Sequence, residues 1–444
     1  MTTTEARSAT PAAMISVEEA RARILEHFAA LEPVETPLLE AAGQVLAADV
    51  RGGFDIPPLP NTSMDGYAVR ADDTAGATPA GPLRLRVTGY LPAGSVYDGS
   101  VGPGEAVRIM TGAPIPDGAD AIVPFEETDE EEQTARWEDG PRDDVRIDVE
   151  AKLGANIRPA GEDVRAGELV LPAGTILGPA QIGVLASLGL GTVQAIRRPR
   201  VAILSTGDEL LRPGEPLRPG AIYDSNGFSL ASMAREMGAE PRVLDIAGDS
   251  VEALTARVHE GLADADLLVT SAGVSRGDFD VVKEVLAREG SVGFWTVRMR
   301  PGKPLAFGTF QTGGGASYGD ARRVVPHLGL PGNPVSAMMT FELFGRPAVF
   351  TMLGKPQAWE RERVRAVSAE RIARPDDRRF YARAIVERRD GRYHAKLTGP
   401  QGSGVLTSMA LANGIVVVPE DGGPVEPGDE CDVMLIGRVP DAEA

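Results

Sequence analysis

Three stretches between residues 201 and 344 repeat one hydrophobic pattern: an apolar run, a glycine-rich polar loop and then a helical spacing of apolar positions. The apolar runs cover residues 201–204, 266–270 and 327–330. A continuous apolar run between turn residues predicts a strand that is buried on both faces. Strands that alternate with helices predict a doubly wound α/β domain. The three loops would then lie at the carboxyl ends of the strands, where open α/β sheets bind ligands.

Capping residues predict where several helices begin. Residues 16–19, with serine first and glutamate last, form a capping box. Asn226 is predicted to cap a helix, and the acids at both ends of residues 249–252 are predicted to form a second capping box. Residues 43–50 predict one further short helix.

Outside these stretches the chain changes to shorter strand patterns. Residues 57–67 carry three prolines and predict a rigid loop. Strand patterns then recur at roughly 8–12-residue spacing, which is typical of a small β domain. Asp390 and Gly391 predict a hairpin turn in a second all-β region.

The predicted fold class is therefore multidomain, α/β plus all-β, with a central doubly wound α/β domain. Helical patterns on both sides of the small β region indicate one domain built from two pieces of chain. The predicted domains are a discontinuous N-terminal domain at 14–53 and 152–197, an inserted β domain at 54–151, an α/β domain at 198–355 and a C-terminal β domain at 356–440.

Composition narrows the classes of function. The chain has 444 residues and a formal net charge of −19, which disfavours nucleic acid as a partner because phosphate binding needs a basic face. The single cysteine, Cys431, excludes an intrachain disulfide and favours a reducing cytosol. The four histidines are scattered, and no run is long and apolar enough to span a membrane. We expect a cytoplasmic protein whose anionic ligands need local cations or a bridging divalent metal.

Acidic residues in two of the polar loops have two interpretations. Asp280 follows the second apolar run, and Asp208 and Glu209 follow the first. The plainer interpretation is that they cap helices or shape turns. The functional one is that their carboxylates bind Mg²⁺ beside a phosphate. The residues alone leave both open.

Cations cluster around Pro301-Gly302. Arg298, Arg300 and Lys303 lie within six residues, and they either form a basic surface turn or bind an oxyanion. Neither a Walker motif nor a full dinucleotide fingerprint occurs, so an ATP-dependent kinase and a Rossmann redox enzyme are disfavoured.

A proline-bounded loop follows the third apolar run. Residues 331–334, Pro-Gly-Asn-Pro, precede a helical pattern. Free N–H groups of this loop and the hydroxyl of Ser336 would face the same cleft as the start of the helix.

Seven short motifs occur together and in order along the chain. They are SMDGYA at 63–68, TGAPIP at 111–116, GED at 161–163, STGDEL at 205–210, GVS at 273–275, PGKP at 301–304 and LPGNPVS at 330–336. With this set the chain resembles the molybdopterin molybdenumtransferases, the MoeA and gephyrin E-domain family, from about residue 14 to about residue 436. The resemblance implies four subdomains, a molybdopterin-adenylyltransferase-like central domain, a barrel-like C-terminal domain and a homodimer. It also implies the reaction: adenylylated molybdopterin and molybdate give molybdenum cofactor and AMP, with Mg²⁺ or another divalent cation.

The resemblance also implies roles for individual residues. Arg300, Lys303 and Ser336 would hold molybdate, whereas metal and pyrophosphate would be served by Glu209, Asp249 and Asp280. Catalytic roles are implied for Asp65, Thr111, Glu209 and Asp280. Substrate contacts are implied for Asp163, Asp249, Ser275, Arg300, Lys303, Pro331, Pro334, Ser336, Arg383 and Ser403.

Two positions depart from the family pattern. Arg300 stands where the family usually has lysine, and it keeps the charge while adding a planar fork. Ala272 stands where glycine is usual, and its side chain hinders a close approach of backbone to phosphate.

Three alternatives remain beside this function. A molybdopterin adenylyltransferase would share the α/β domain alone and would not need residues 14–196 or 356–444. The sequence does not distinguish a tungsten-specific member of the family from a molybdenum-specific one, because molybdate and tungstate are similar oxyanions. A scaffold would be expected to carry a long linker or an added partner domain, and neither is visible. We also expect the cleft to be shared between two subunits, and other proteins of molybdenum cofactor biosynthesis to be candidate partners.

Overall fold

The structure is a computed structural model that describes residues 14–130, 142–248, 250–272, 284–285, 288–312 and 323–441. The described residues form two compact units. One contains those up to Val34, Gly43–Val45 and those from Ala195 onward, and the other contains Glu35–Ala42 and Leu46–Gln194. The finer four-domain division stays a prediction.

Seven α-helices lie wholly in the described part of the chain, and no helix of that part is long and apolar enough to cross a membrane. A π-helical segment, Phe341–Gly345, joins α5 to α6. The helices are α1 Val17–Leu25, α2 Pro179–Ser187, α3 Asn226–Glu236, α4 Val251–Leu262, α5 Pro334–Thr340, α6 Arg346–Met352 and α7 Thr407–Ala410.

The described strands are mostly short. Up to Ile196 they are β1 Pro33–Pro37, β2 Val50–Arg51, β3 Asn61–Thr62, β4 Gly66–Val69, β5 Leu83–Leu91, β6 Glu105–Ile109, β7 Ala121–Pro124, β8 Asp144–Ile147, β9 Ile157–Arg158, β10 Leu169–Leu171 and β11 Thr192–Ile196. From Arg200 they are β12 Arg200–Ser205, β13 Leu210–Leu211, β14 Ile222–Tyr223, β15 Glu240–Val243, β16 Leu267–Ser271, β17 Gly290–Thr296, β18 Met299–Arg300, β19 Pro304–Thr312, β20 Arg323–Leu330, β21 Arg363–Ser368, β22 Arg379–Arg389, β23 Arg392–Leu397, β24 Gly414–Val418 and β25 Glu430–Leu435.

The central sheet of the first unit has the order β15-β12-β16-β20-β19-β17. β15, β12, β16 and β20 run parallel, whereas β19 and β17 are antiparallel additions. Successive residues of β12 alternate between two cores: Val201 and Ile203 pack into one, Ala202 and Leu204 into the other. Burial on both faces explains the uninterrupted apolar runs, and the three predicted strands are confirmed. Because β12, β16 and β20 are parallel neighbours, their carboxyl ends meet at one edge.

The C-terminal strands close into a five-stranded barrel. The order is β22-β23-β21-β25-β24, and β24 pairs back with β22. Asp390 and Gly391 connect β22 to β23 with φ values of 49° and 75°. This confirms the predicted hairpin turn, since two-residue hairpins favour positive φ at both positions.

The second unit is built on the sheet β7-β4-β6-β5-β8. The predicted rigid loop at 57–67 already contains the start of an interior strand of this sheet, Gly66–Val69, so this part of the prediction is wrong. Tyr67 and Val69 pack into one core and Ala68 into another. The strand is therefore buried on both faces. A search for alternating apolar and polar residues does not find such a strand.

Helix starts follow the sequence only in part. The Ser16 hydroxyl accepts from the Glu19 N–H, so the predicted cap at Ser16 is confirmed, while the Glu19 carboxylate accepts from Arg23. α4 is capped by Ser250, whose hydroxyl accepts from Ala253 N–H; Asp249, the first residue of the second predicted capping box, lies outside the described residues. The cap predicted at Asn226 is wrong, because this residue is already helical and its side chain bonds elsewhere. Residues 43–50 contain turns and bridges instead of the predicted helix.

Candidate active site

A cleft of about 900 Å³ lies at the carboxyl ends of β12, β16 and β20. Its walls come from the segments that follow these strands, from the turn around Pro301-Gly302 and from residues 401–404. All of these segments belong to the first unit. The edge predicted from the hydrophobic pattern therefore carries a concave site.

The segment after β12 places a carboxylate on the cleft wall. Leu210 N–H donates to the Gly207 carbonyl over 3.1 Å, which closes a tight turn around Glu209. Gly207 has a φ of 143°, and a Cβ there would lie 2.4 Å from a Glu209 carboxylate oxygen. Glycine at this position therefore leaves room for the Glu209 carboxylate, which is exposed and lines the cleft.

The start of α3 contributes two more polar side chains to the cleft. Asp224 is 4% exposed, and its Oδ1 accepts from Gly227 N–H at 3.0 Å. Asn226 Nδ2 donates to Ser271 Oγ at 2.6 Å and to the Gly332 carbonyl at 2.7 Å. These bonds join the start of α3 to the ends of two neighbouring strands.

The proline-bounded loop is held by the barrel as well as by the sheet. Asn333 Nδ2 donates to Ser403 Oγ at 3.0 Å, and Val335 N–H donates to the Ser403 carbonyl at 3.0 Å. The Val335 N–H, just after the loop, is thus bonded within the protein. Ser336 is buried in the first turn of α5 and lines the cleft.

The cations on the cleft wall differ in how they are paired. Arg300 Nη1 lies 3.0 Å from Asp376 Oδ2, and Arg378 binds the same carboxylate. Hydrogen bonds from Arg378, and then from Arg300, hold the pKa of Asp376 well below its usual range. Lys303 is exposed and has no ion pair among the described residues, whereas Arg298 does not line the cleft. Lys303 is therefore the cation most available to a ligand.

Arg383 lies beneath the cleft rather than on its wall. Its side chain is fully buried, with Nε donating to Ser408 Oγ and Nη2 to the Gly402 carbonyl, both at 3.1 Å. Burial lowers the pKa of its guanidinium to about 10. The residue supports the loop that carries Ser403, and its direct contact with a substrate stays a prediction.

Comparison with known proteins agrees with this architecture along nearly the whole chain. Residues 15–189 match the MoeA N-terminal region (domains I and II), residues 202–351 a probable molybdopterin-binding domain, and residues 365–436 the MoeA C-terminal region (domain IV). The chain is 40% identical to molybdopterin molybdenumtransferase 2 of Mycobacterium tuberculosis, over 95% of this chain and 99% of that protein.

The chain belongs to the molybdopterin molybdenumtransferase family. A Nostoc member is 37% identical over 86% of this chain and 84% of its own length. The crystal structure of a molybdopterin biosynthesis MoeA protein from Pyrococcus horikoshii has 30% identity and a TM-score of 0.75, and covers 95% of this chain and 99% of its own. The family resemblance inferred from the motifs is thus confirmed, together with the multidomain fold.

Apart from the buried Arg383, the predicted site residues of this family fold fall into three groups. The cleft brings together Glu209, Arg300, Lys303, Pro331, Pro334, Ser336 and Ser403. Asp65, Thr111 and Asp163 belong to the second unit, where Thr111 donates to Asp65 Oδ1 through its N–H at 2.6 Å and its hydroxyl at 2.7 Å. Asp249, Ser275 and Asp280 lie outside the described residues.

Several residues on the cleft wall of this family member were not predicted as site residues from the sequence. They include Asp224, Asn226, Asn333 and Arg378. Asp224 and Asn226 precede or open a helix, where acids and amides commonly act as caps. Arg378 lies far from the other cations along the chain, so no local cluster indicated it.

The described part of the cleft offers a divalent cation two carboxylates, Glu209 and Asp224. Hard oxygen ligands of this kind suit Mg²⁺. No group of three or more metal-ligating side chains occurs among the described residues, while two of the three predicted ligands lie outside them. The donor chemistry therefore fits Mg²⁺ or a similar ion.

Proposed function

We propose that the protein inserts molybdate into adenylylated molybdopterin, releasing AMP and forming molybdenum cofactor. The observation that carries this proposal is a cleft that combines an exposed Lys303, which has no ion pair within the described ranges, and the Ser336 hydroxyl with the carboxylates of Glu209 and Asp224. One cleft thus offers cations for an oxyanion and oxygen ligands for a divalent metal. The family relatives, all named molybdopterin molybdenumtransferase, support the same substrate pair.

The chain's own residues deal with a problem of charge, because a molybdate dianion and a pyrophosphate linkage repel each other. Lys303 and Arg300 offset the charge of molybdate, and the Ser336 hydroxyl donates to one of its oxygens. Glu209, with Asp249 and Asp280, would hold the divalent cation. When bound, Mg²⁺ supplies positive charge for the leaving AMP. Ordered donors in a cleft of this kind stabilise charge without reorganising at the moment of reaction.

We further propose that the enzyme is a cytoplasmic homodimer in which Asp65 and Thr111 of one subunit complete the cleft of the other. The hydrogen-bonded pair of these residues is a preformed polar surface on the second unit. The single, buried Cys431 suits a reducing cytosol, and burial raises the pKa of its thiol to about 11.

The direct test is incubation of the purified protein with adenylylated molybdopterin, Mg²⁺ and either molybdate or tungstate. We expect release of AMP and formation of cofactor in equal amounts, dependent on the oxyanion. Preference for tungstate would indicate a tungsten-specific member. Synthesis of adenylylated molybdopterin from ATP and molybdopterin would indicate an adenylyltransferase, and absence of either reaction would favour a scaffold.

A further inference from the structure

The side chain of Asn226 is built into the floor of the cleft in an unusual way. It is 9% exposed, lines the cleft and stands at the first residue of α3. Its Nδ2 donates to Ser271 Oγ at 2.6 Å and to the Gly332 carbonyl at 2.7 Å. One amide group therefore joins three segments of chain: α3, the end of β16 and the loop after β20.

The orientation of this amide is set by chemistry. A carbonyl oxygen only accepts, so the atom facing Gly332 must be the nitrogen, because the flipped amide would place oxygen against oxygen. The other end, Oδ1, is buried and has no hydrogen-bond partner among the described residues. A buried acceptor without a partner lowers stability. The amide is therefore not optimised as a purely structural bridge.

The two segments that Asn226 joins lead to the two halves of the proposed reaction. Ser271 is the last residue of β16. In the sequence it precedes Asp280, which the family motifs assign to the metal and the pyrophosphate, and Ser275, a predicted substrate contact; both lie outside the described residues. Gly332 belongs to the loop that leads into Ser336, a predicted molybdate ligand. The Asn226 amide thus connects the loop that leads to the predicted molybdate ligand Ser336 with the strand that leads to the predicted pyrophosphate residue Asp280.

We propose that Asn226 is a positioning residue that fixes the separation between bound molybdate and the pyrophosphate linkage, an inference that rests on the function proposed above. Two bound reactants react fast only when their reacting atoms are held close and aligned, and a shift of about 1 Å can lower the rate about 100-fold. Binding of either reactant alone does not depend on that separation. A change at Asn226 should therefore affect the rate at saturation and leave the separate affinities intact.

The test uses Asn226→Asp, which keeps the shape of the side chain but replaces the donor with a second acceptor. AMP release is measured in a single turnover at saturating molybdate and adenylylated molybdopterin, and the Kd of each reactant alone is measured by calorimetry. We expect a fall of about 10- to 100-fold in rate and a change of less than about twofold in either Kd. Asn226→Ser, which removes the donor without adding a negative charge, is measured in parallel. The twofold limit on Kd applies to this neutral variant, because the charge of an aspartate in the cleft by itself weakens the binding of anions.

Asn413 supplies a matched control in the barrel. Its Nδ2 donates to the Val386 and Arg438 carbonyls, and its Oδ1 accepts from Val386 N–H. Asn413→Asp removes a similar clamp away from the cleft, so it should lower the unfolding temperature without the selective loss of rate.

Three results would overturn the inference. An unchanged rate in both Asn226 variants would remove any role, and a Kd that rises in proportion to the rate loss in the neutral Asn226→Ser variant would show direct contact with that reactant. An equal rate loss in Asn413→Asp would reduce the effect to general destabilisation. Failure of the proposed function is distinguishable, because the unaltered protein would then release no AMP.

Discussion

Ala272, on the cleft wall, has a backbone conformation that is unfavourable for any residue other than glycine. It has a φ of 90°, in the region that glycine occupies freely and that costs other residues on the order of 1–3 kcal/mol. Its N–H donates to the Leu330 carbonyl, so the conformation is held by the neighbouring strand. Alanine at this position therefore carries backbone strain on the cleft wall, directly after β16.

We predict that Ala272→Gly raises the free energy of unfolding by about 1 kcal/mol, because relief of the strained φ exceeds the added flexibility of the unfolded chain. Thermal unfolding monitored by circular dichroism measures the change. Ala256→Gly, on the exposed face of α4, is the control and should lower stability by about 1 kcal/mol. A destabilised Ala272→Gly would contradict the strain.

Lys303 and Arg298 make a second comparison at the residue scale, since both belong to the same basic cluster but only Lys303 lines the cleft. Loss of a charged hydrogen bond costs about 1.5–3 kcal/mol. Lys303→Ala should therefore raise the molybdate concentration for half-maximal AMP release by about 10-fold or more, and affect binding of adenylylated molybdopterin less. Arg298→Ala should change neither. Equal losses for both ligands in calorimetric titration would assign Lys303 to the phosphates instead.

At the scale of elements, the sequence predicted strands better than helix caps. The runs at 201–204, 266–270 and 327–330 were sufficient because burial on both faces leaves an uninterrupted apolar signature. Asp224, Ser225 and Asn226 are three consecutive candidate caps, and local rules could not rank them. The contact that decides comes from Gly332, 106 residues away. The cleft residues that were not predicted are those whose place depends on such distant partners in the sequence.

Strand β20 carries a buried titratable group, His327, whose ring bonds Thr270 Oγ1 at 2.9 Å. Burial lowers its pKa from 6.5 to about 3. Unfolded chains take up this proton below about pH 6.5, whereas the folded protein does not until about pH 3. The stability contributed by neutral His327 is thus complete above pH 6.5 and is lost as the pH falls towards 3.

We predict that protonation of His327 in the unfolded chain lowers the free energy of unfolding by about 1.4 kcal/mol for each pH unit below pH 6. His327→Gln, which keeps a hydrogen-bonding group for Thr270, should have a correspondingly flatter dependence of unfolding temperature on pH between 6 and 4.5. His259→Gln, at a partly exposed position, should retain the steep dependence. Parallel curves for the wild type and His327→Gln would show that another group titrates.

At the scale of the whole molecule, the predicted site residues are divided between two compact units. Glu209, Lys303 and Ser336 line the cleft of the first unit, while Asp65 and Thr111 form a hydrogen-bonded pair in the second. The sequence predicted both groups through the family motifs, because each motif is local. Whether the two groups meet within one chain or across a dimer depends on assembly, which local motifs do not encode.

The shared cleft leads to a prediction about mixtures of inactive variants. Asp65→Asn disables the pair in the second unit, and Glu209→Gln disables the cleft of the first, so each homodimer should be inactive. In a mixed dimer with clefts completed by the partner, one cleft carries both lesions and the other carries none. Mixing after subunit exchange should therefore restore AMP release, approaching one active cleft per mixed dimer.

Differently tagged subunits, purified in tandem, verify the mixed species. Two variants of the same unit, Glu209→Gln and Lys303→Ala, form the control and should not complement, since each cleft of their mixed dimer retains one lesion. Verified Asp65→Asn/Glu209→Gln dimers that stay inactive while both parents are folded and dimeric would place each cleft within a single chain.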